Sequence, residues 1–97
     1  MGEDQVKKIA AELNEGARLA LLAWPKGTPT WFDVVECTPR NALGRFRGYR
    51  QTVLPLEQAG LAEHDGGRLL PDGRRESQRY HLTRLGHRVR AYLRGHP

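Results

Sequence analysis

Residues 53–89, VLPLEQAGLAEHDGGRLLPDGRRESQRYHLTRLGHRV, constrain the fold more than any other stretch of the chain. Leu54, Leu56 and Gln58 lead into Ala59-Gly60, where glycine suits the left-handed residue that closes a helix. Leu61 to His64 then reads as a strand, extending toward Leu70 with an irregularity at Asp65-Gly66-Gly67. Pro71-Asp72-Gly73 is a strong turn signal. In Gln78 to Leu82, alternation places Tyr80 and Leu82 on one face of a second strand and Arg79 and His81 on the other. Thr83 follows as the cap of a last helix. Two strands alone are marginal, so helices must cover one face of this hairpin.

The rest of the chain supplies them. Residues 4–24 read as helix 1, with Val6, Ile9, Leu13, Ala17, Ala20, Leu21 and Trp24 at spacings of three and four. Gly16 weakens its middle and Pro25 stops it. Helix 2 spans 30–38; Thr30 and Asp33 have capping-box spacing, and Trp31, Val34 and Val35 face inward. Thr38-Pro39 breaks the pattern, the threonine capping and the proline suiting a first helical position. Helix 3 covers about 40–59, with Leu43, Phe46, Tyr49, Val53, Leu54 and Leu56 on one arc and Arg45, Arg47, Gln51, Thr52 and Gln58 opposite. Arg50 falls in the apolar arc, where it either snorkels from the edge or pairs with Glu57. Pro55 either kinks this helix or marks a different boundary. The hairpin occupies 61–82 and the C-terminal helix 83–94, with Leu85, Val89, Tyr92 and Leu93 inward and Arg84, Arg88, Arg90 and Arg94 outward. The expected architecture is one α+β domain over residues 1–97.

Charge is divided along the chain. Residues 1–44 carry five basic and six acidic groups, whereas residues 45–97 carry eleven arginines against five acidic groups. A positive half attracts a polyanion, and the fixed fork of arginine suits phosphates and guanine edges. The bland alternative is a soluble, arginine-biased surface. Hydrophobic residues are 38% of the chain, which implies a small core. Cys37 is the single cysteine; it excludes an internal disulfide and reads as a part-buried helix thiol. No apolar run is long enough to span a bilayer, so a cytoplasmic protein, nucleoid-associated when bound, is expected.

The segment LEQAGLAEHDGG…LPDGRRESQRYHLTRLGHRV resembles bacterial winged helix-turn-helix regulators of the MarR, ArsR and PadR type. Their Leu-x-x-x-Gly-Leu helix end is matched by Leu56, Gly60 and Leu61; their Asp- and Arg-bearing wing by Asp72, Arg74 and Arg75; their Leu-Thr-x-x-Gly run by Leu82, Thr83 and Gly86. The resemblance is specific over 53–89. It implies three N-terminal helices, a two-stranded wing and a short C-terminal helix, with the helix before Gly60 as recognition helix. It also implies a transcriptional regulator of double-stranded DNA, usually a homodimer. Two features depart from it. The stretch between Thr30 and Gly60 is longer than a compact helix-turn-helix needs, and the last helix is short, so a dimer would use helix 1 or that last helix.

The candidate DNA contacts are Arg45, Arg47, Gln51 and Thr52 on the recognition helix, and Arg68, Arg74, Arg75 and Arg79 on the wing. Each has a plain alternative: a solvated helix face, Thr52 bonded to its own backbone, Arg74 held by Asp72. His64 and His81, if opposed across the strands, make a poor zinc site, and no metal or other cofactor is expected. Ser77 is the sole serine and no phosphate-binding loop is present, so no enzyme activity is expected. The competing functions are a winged-helix adaptor for protein contact and a non-specific nucleic-acid binder in replication or plasmid or phage maintenance.

Overall fold

The computed structural model describes residues 3–40, 44 and 48–95. Among them are five α-helices and a two-stranded antiparallel sheet, an α+β arrangement compatible with a small winged-helix layout. In chain order these are α1 (Glu3–Glu12), α2 (Glu15–Leu22), α3 (Trp31–Cys37), a 3₁₀ turn at Tyr49–Gln51, α4 (Val53–Gln58), β1 (Ala62–His64), β2 (Tyr80–Leu82) and α5 (Arg84–Gly95).

The single helix expected over 4–24 is two helices. Asn14 is extended (φ −69°, ψ 165°), and its side-chain oxygen accepts from the Ala17 N–H at 2.7 Å, capping α2. Asparagine competes in this way with helix continuation, and here it outweighs an unbroken apolar spacing. The helix expected over 40–59 is also interrupted among its described residues. Gly48 has φ +81°, Thr52 has φ −121° and ψ −70°, and the regular helix begins only at Val53. That start accounts for Pro55, which occupies the first turn, where an N–H has no intrahelical acceptor to lose.

The C-terminal end of α4 follows the expected glycine signal. Gly60 has φ +78°. The Leu61 N–H reaches the Leu56 carbonyl at 2.8 Å and the Gly60 N–H reaches Glu57 at 3.1 Å, the paired bonds of a Schellman end. The chain leaves directly into β1, which pairs with β2 in the register Ala62↔Leu82, Glu63↔His81 and His64↔Tyr80. Tyr80 and Leu82 are buried as their alternation predicts. The two histidines are therefore not opposite one another. His64 hydrogen-bonds the Ser77 carbonyl, and His81 lies 3.4 Å from the Glu63 carboxylate.

A third stretch of backbone joins the hairpin. Thr30 forms an antiparallel bridge with Arg79, the Tyr80 N–H donates to the Pro29 carbonyl at 3.0 Å, and the Trp31 N–H donates to Gln78 at 3.0 Å. The sequence offers little sign of it, because Thr28-Pro29-Thr30 reads as loop. The capping box on α3 forms as expected: Thr30 Oγ1 accepts from the Asp33 N–H at 3.3 Å, and the Asp33 carboxylate accepts from the Thr30 N–H at 2.9 Å. Thr38 closes α3, its hydroxyl donating to the Val34 carbonyl at 3.0 Å. Cys37, expected half-buried, is exposed on the outer side of this helix.

Leu21, Val34, Val53, Leu56, Leu61 and Val89 are fully buried and, with Ala62 of β1, join α2, α3, α4, β1 and α5 in one core. Trp24 is buried with them, as its position at a helix end suggests. Arg90, assigned from the helical wheel to an outward face, instead turns in and donates to the Trp24 carbonyl at 2.9 Å, satisfying the chain just beyond α2. Desolvation there lowers its pKa from the usual guanidinium range, with the Arg94 charge adding to the effect.

α5 packs directly on the backbone of Leu61, the residue before β1. A Cβ placed on Gly86 would lie 2.0 Å from the Leu61 carbonyl oxygen, which is backbone and has no free end to yield. Replacing Gly86 with alanine should therefore destabilise the fold by about 2–3 kcal/mol, read as a lowered midpoint in urea unfolding. Gly95→Ala, with nothing within 4 Å of the added carbon, should leave the midpoint unchanged.

Candidate nucleic-acid interface

The hairpin beyond the paired strands is built by hydrogen bonds among its own residues. The Asp65 N–H donates to the Arg79 carbonyl at 2.7 Å, and Gly66 and Gly67 turn the chain with φ of +75° and +85°. Leu69 and Arg75 form an isolated antiparallel bridge. At the tip, the Gly73 N–H donates to Leu70 at 2.9 Å and the Leu70 N–H to Arg74 at 2.6 Å. Pro71 stands at the second turn position, with left-handed Gly73 (φ +87°) after Asp72, the pattern of a three-residue hairpin loop with a bulge.

All four arginines proposed from the hairpin sequence are exposed, and three are held by carboxylates. Arg74 Nε lies 2.7 Å from Asp72. The Arg74 backbone N–H, with help from its side chain, holds the Asp72 carboxyl below its ordinary pKa. Arg68 lies 3.6 Å from Glu76. Arg75 reaches across to Glu57 of α4 at 3.2 Å, where the carboxylate is mostly buried. The Arg74–Asp72 and Arg68–Glu76 pairs are exposed, and such pairs hold their partners only weakly. Arg79 faces Asp33 of α3 across the Thr30 bridge. Asp33 is held below its ordinary pKa first by the Thr30 N–H, then by the Thr30 hydroxyl, with a smaller contribution from Arg79.

The recognition-helix candidates fare unevenly. Arg45 and Arg47 lie outside the described residues. Gln51 is exposed on the 3₁₀ turn. Thr52 is fully buried, and its hydroxyl donates to the Gly48 carbonyl at 2.8 Å, so it is a structural residue rather than a surface contact. Arg50 is neither in the apolar arc nor paired with Glu57: it is exposed beside Gln51. Tyr49 takes that carboxylate instead, its hydroxyl donating to Glu57 Oε1. Burial, reinforced by Glu57, raises the Tyr49 pKa well above its ordinary value. Tyr49, Glu57 and Arg75 thus form a continuous chain from the turn through α4 to the hairpin.

This chain borders a groove of about 420 Å³ with an aromatic floor of Trp31, Tyr49 and Tyr80 and a rim of Arg50, Arg74 and Arg75. Trp31 stacks on Phe32 with ring centroids 3.9 Å apart, and its indole N–H donates to Gln78 on the hairpin. Tyr49 and Tyr80 are tilted, 5.9 Å between centroids. Arg50 and Trp31 were not among the sequence candidates. Gly48 was the available signal for Arg50, since a left-handed glycine resets the helical phase on which the inward assignment rested.

Among the described residues no group of three or more His, Cys, Asp or Glu side chains could hold a metal ion. No described helix is long and apolar enough to cross a membrane. No protein-family model, curated relative or solved structure matches the chain.

The Asp33 cap ties α3 to the hairpin and makes stability pH-dependent. Its carboxyl has a lowered folded pKa, so its contribution is complete above the ordinary carboxylate range and disappears as pH falls through the folded value. Asp33→Ala should accordingly lower the melting temperature at pH 7, and the gap to the parent protein should close as pH approaches 2, measured by circular dichroism.

Proposed function

We propose that the chain is a winged helix-turn-helix regulator that binds double-stranded DNA, with the hairpin as its wing on the backbone or minor groove. The observation that carries this reading is the face shared by the 3₁₀ turn and the hairpin tip. It brings Arg50, Arg74 and Arg75 to one groove, with Arg68 and Arg79 along the same hairpin. The order of elements supports it: a strand-like Thr30 segment precedes α3, and the hairpin follows α4 and leads into a helix. Arg45, Arg47 and Gln51 remain the proposed major-groove readers, Arg on guanine and Gln on adenine edges. The sites of action proposed are the cytoplasm and nucleoid. A homodimer is proposed through α1 or α5, although the large exposed hydrophobic residues among those described, Phe32 and Leu69, lie elsewhere.

The exposure of Phe32, 54% while stacked on Trp31, favours a second reading as a module that docks onto another protein. The two readings separate on one measurement. The purified chain should bind short duplex DNA by fluorescence anisotropy, with affinity falling steeply as salt rises. Replacing Arg74 and Arg75 with alanine should weaken binding on every sequence and reduce the log–log salt slope by about one per lost phosphate contact. A folded protein without affinity for duplexes at low salt sinks the DNA reading and leaves the docking module.

A further inference from the structure

We infer that the groove between the 3₁₀ turn and the hairpin tip binds one unstacked nucleotide of the nucleic acid held on this face, its base against the aromatic floor and its phosphate on the arginine rim. The inference rests on the nucleic-acid reading above and adds a substrate class to it: duplexes that carry an unpaired nucleotide.

Three features of the site point to this occupant. Tyr80 is buried in the floor, and the two half-buried rings beside it, Trp31 and Tyr49, have their polar atoms engaged. Tyr49 donates to Glu57, and the Trp31 indole donates to Gln78. Such a floor offers ring faces rather than free hydrogen-bonding groups, which suits stacking of any base without selecting among them. The rim carries the complementary charge. Arg50 is exposed and makes no ion pair among the described residues, whereas Arg74 and Arg75 line the groove while paired with Asp72 and Glu57. A guanidinium beside aromatic rings receives a phosphate and stacks on a base plane together. The volume, about 420 Å³, falls within the range of small-molecule sites.

Continuity with the hairpin points to a nucleotide of a polymer rather than a free one. The arginines of the rim belong to the same turn and tip that would follow the duplex backbone, so a base leaving the stack there enters the groove while its neighbours stay on the hairpin. Gly73 lines the groove, and an added Cβ there would meet nothing within 4 Å, so the backbone does not close this side.

The test compares a blunt duplex, the same duplex with one bulged adenosine, and adenosine monophosphate, on the parent chain and on the Trp31→Leu and Arg50→Gln variants. Circular dichroism melting verifies that each variant folds. The bulged duplex should bind about tenfold tighter than the blunt one. A 2-aminopurine at the bulge should change its fluorescence on binding as it stacks, and both variants should bring the affinity ratio close to one. Equal affinity for the two duplexes, or a preference that survives both substitutions, overturns the inference and leaves duplex binding intact. Adenosine monophosphate that competes as well as the bulged strand overturns the assignment to a polymer. Absence of any duplex binding defeats the regulator reading and this inference together.

Discussion

The rest of the molecule depends on the joint where α4 ends and α5 begins. The Schellman bonds at Leu56, Glu57, Gly60 and Leu61 turn the chain out of α4. Thr83 then closes the joint from the other side: its hydroxyl donates to the Gly60 carbonyl at 2.6 Å and accepts from the Gly86 N–H at 3.0 Å. The Thr83 N–H donates to the Leu61 carbonyl at 3.0 Å. One side chain thus caps α5 and fastens it to the residue that ends α4. Gly86 permits the contact, since any Cβ there would strike Leu61. Because β1 begins at Ala62 and β2 ends at Leu82, the joint also fixes the base of the hairpin and hence the direction in which its arginines project.

This explains why residues 53–89 were the most legible part of the chain. Gly60, Thr83 and Gly86 each act through short-range stereochemistry, a left-handed φ, a cap or a missing side chain, and such requirements leave a mark at a single position. The turn at Pro71-Asp72-Gly73 and the capping box of Thr30 and Asp33 were legible for the same reason. The helical phase of 40–59 was not. Apolar periodicity continues across Gly48 and Thr52 in the sequence, but the backbone at those residues leaves the helix, so every face assignment that depended on an unbroken wheel shifted. Thr52 moved from surface to core, Arg50 from core edge to surface, and Tyr49 took the partner expected for Arg50. The break at Asn14 is a milder case, since both halves keep their inward residues.

Charge was legible as a total and misleading as a local density. The hairpin reads as a basic tip, yet Asp72, Glu76 and Glu57 hold three of its arginines. These carboxylates restrict guanidinium groups that would otherwise sample many rotamers. Glu57 differs from the other two. It is mostly buried and shared with Tyr49, so Arg75 is anchored to the body of the domain, whereas Arg68 and Arg74 are anchored only to the hairpin. Arg75 is therefore the hairpin arginine whose position reports on the packing of α4.

The Thr30 bridge brings these elements to a common surface. By pairing with Arg79 it places the first turn of α3 beside β2, so Trp31 meets Gln78 and contributes a ring to the same floor as Tyr49 and Tyr80. Three aromatic residues far apart in sequence are thereby assembled by backbone pairing rather than by one helix face. No local pattern could have announced this arrangement, because it exists only after the hairpin has closed on α3. An aromatic surface assembled in this way also ties the groove to the hairpin: any shift of β2 that lengthens the Thr30–Arg79 pairing separates Trp31 from Tyr80. The electropositive rim and the aromatic floor are thus coupled through the backbone of Gln78, Arg79 and Tyr80.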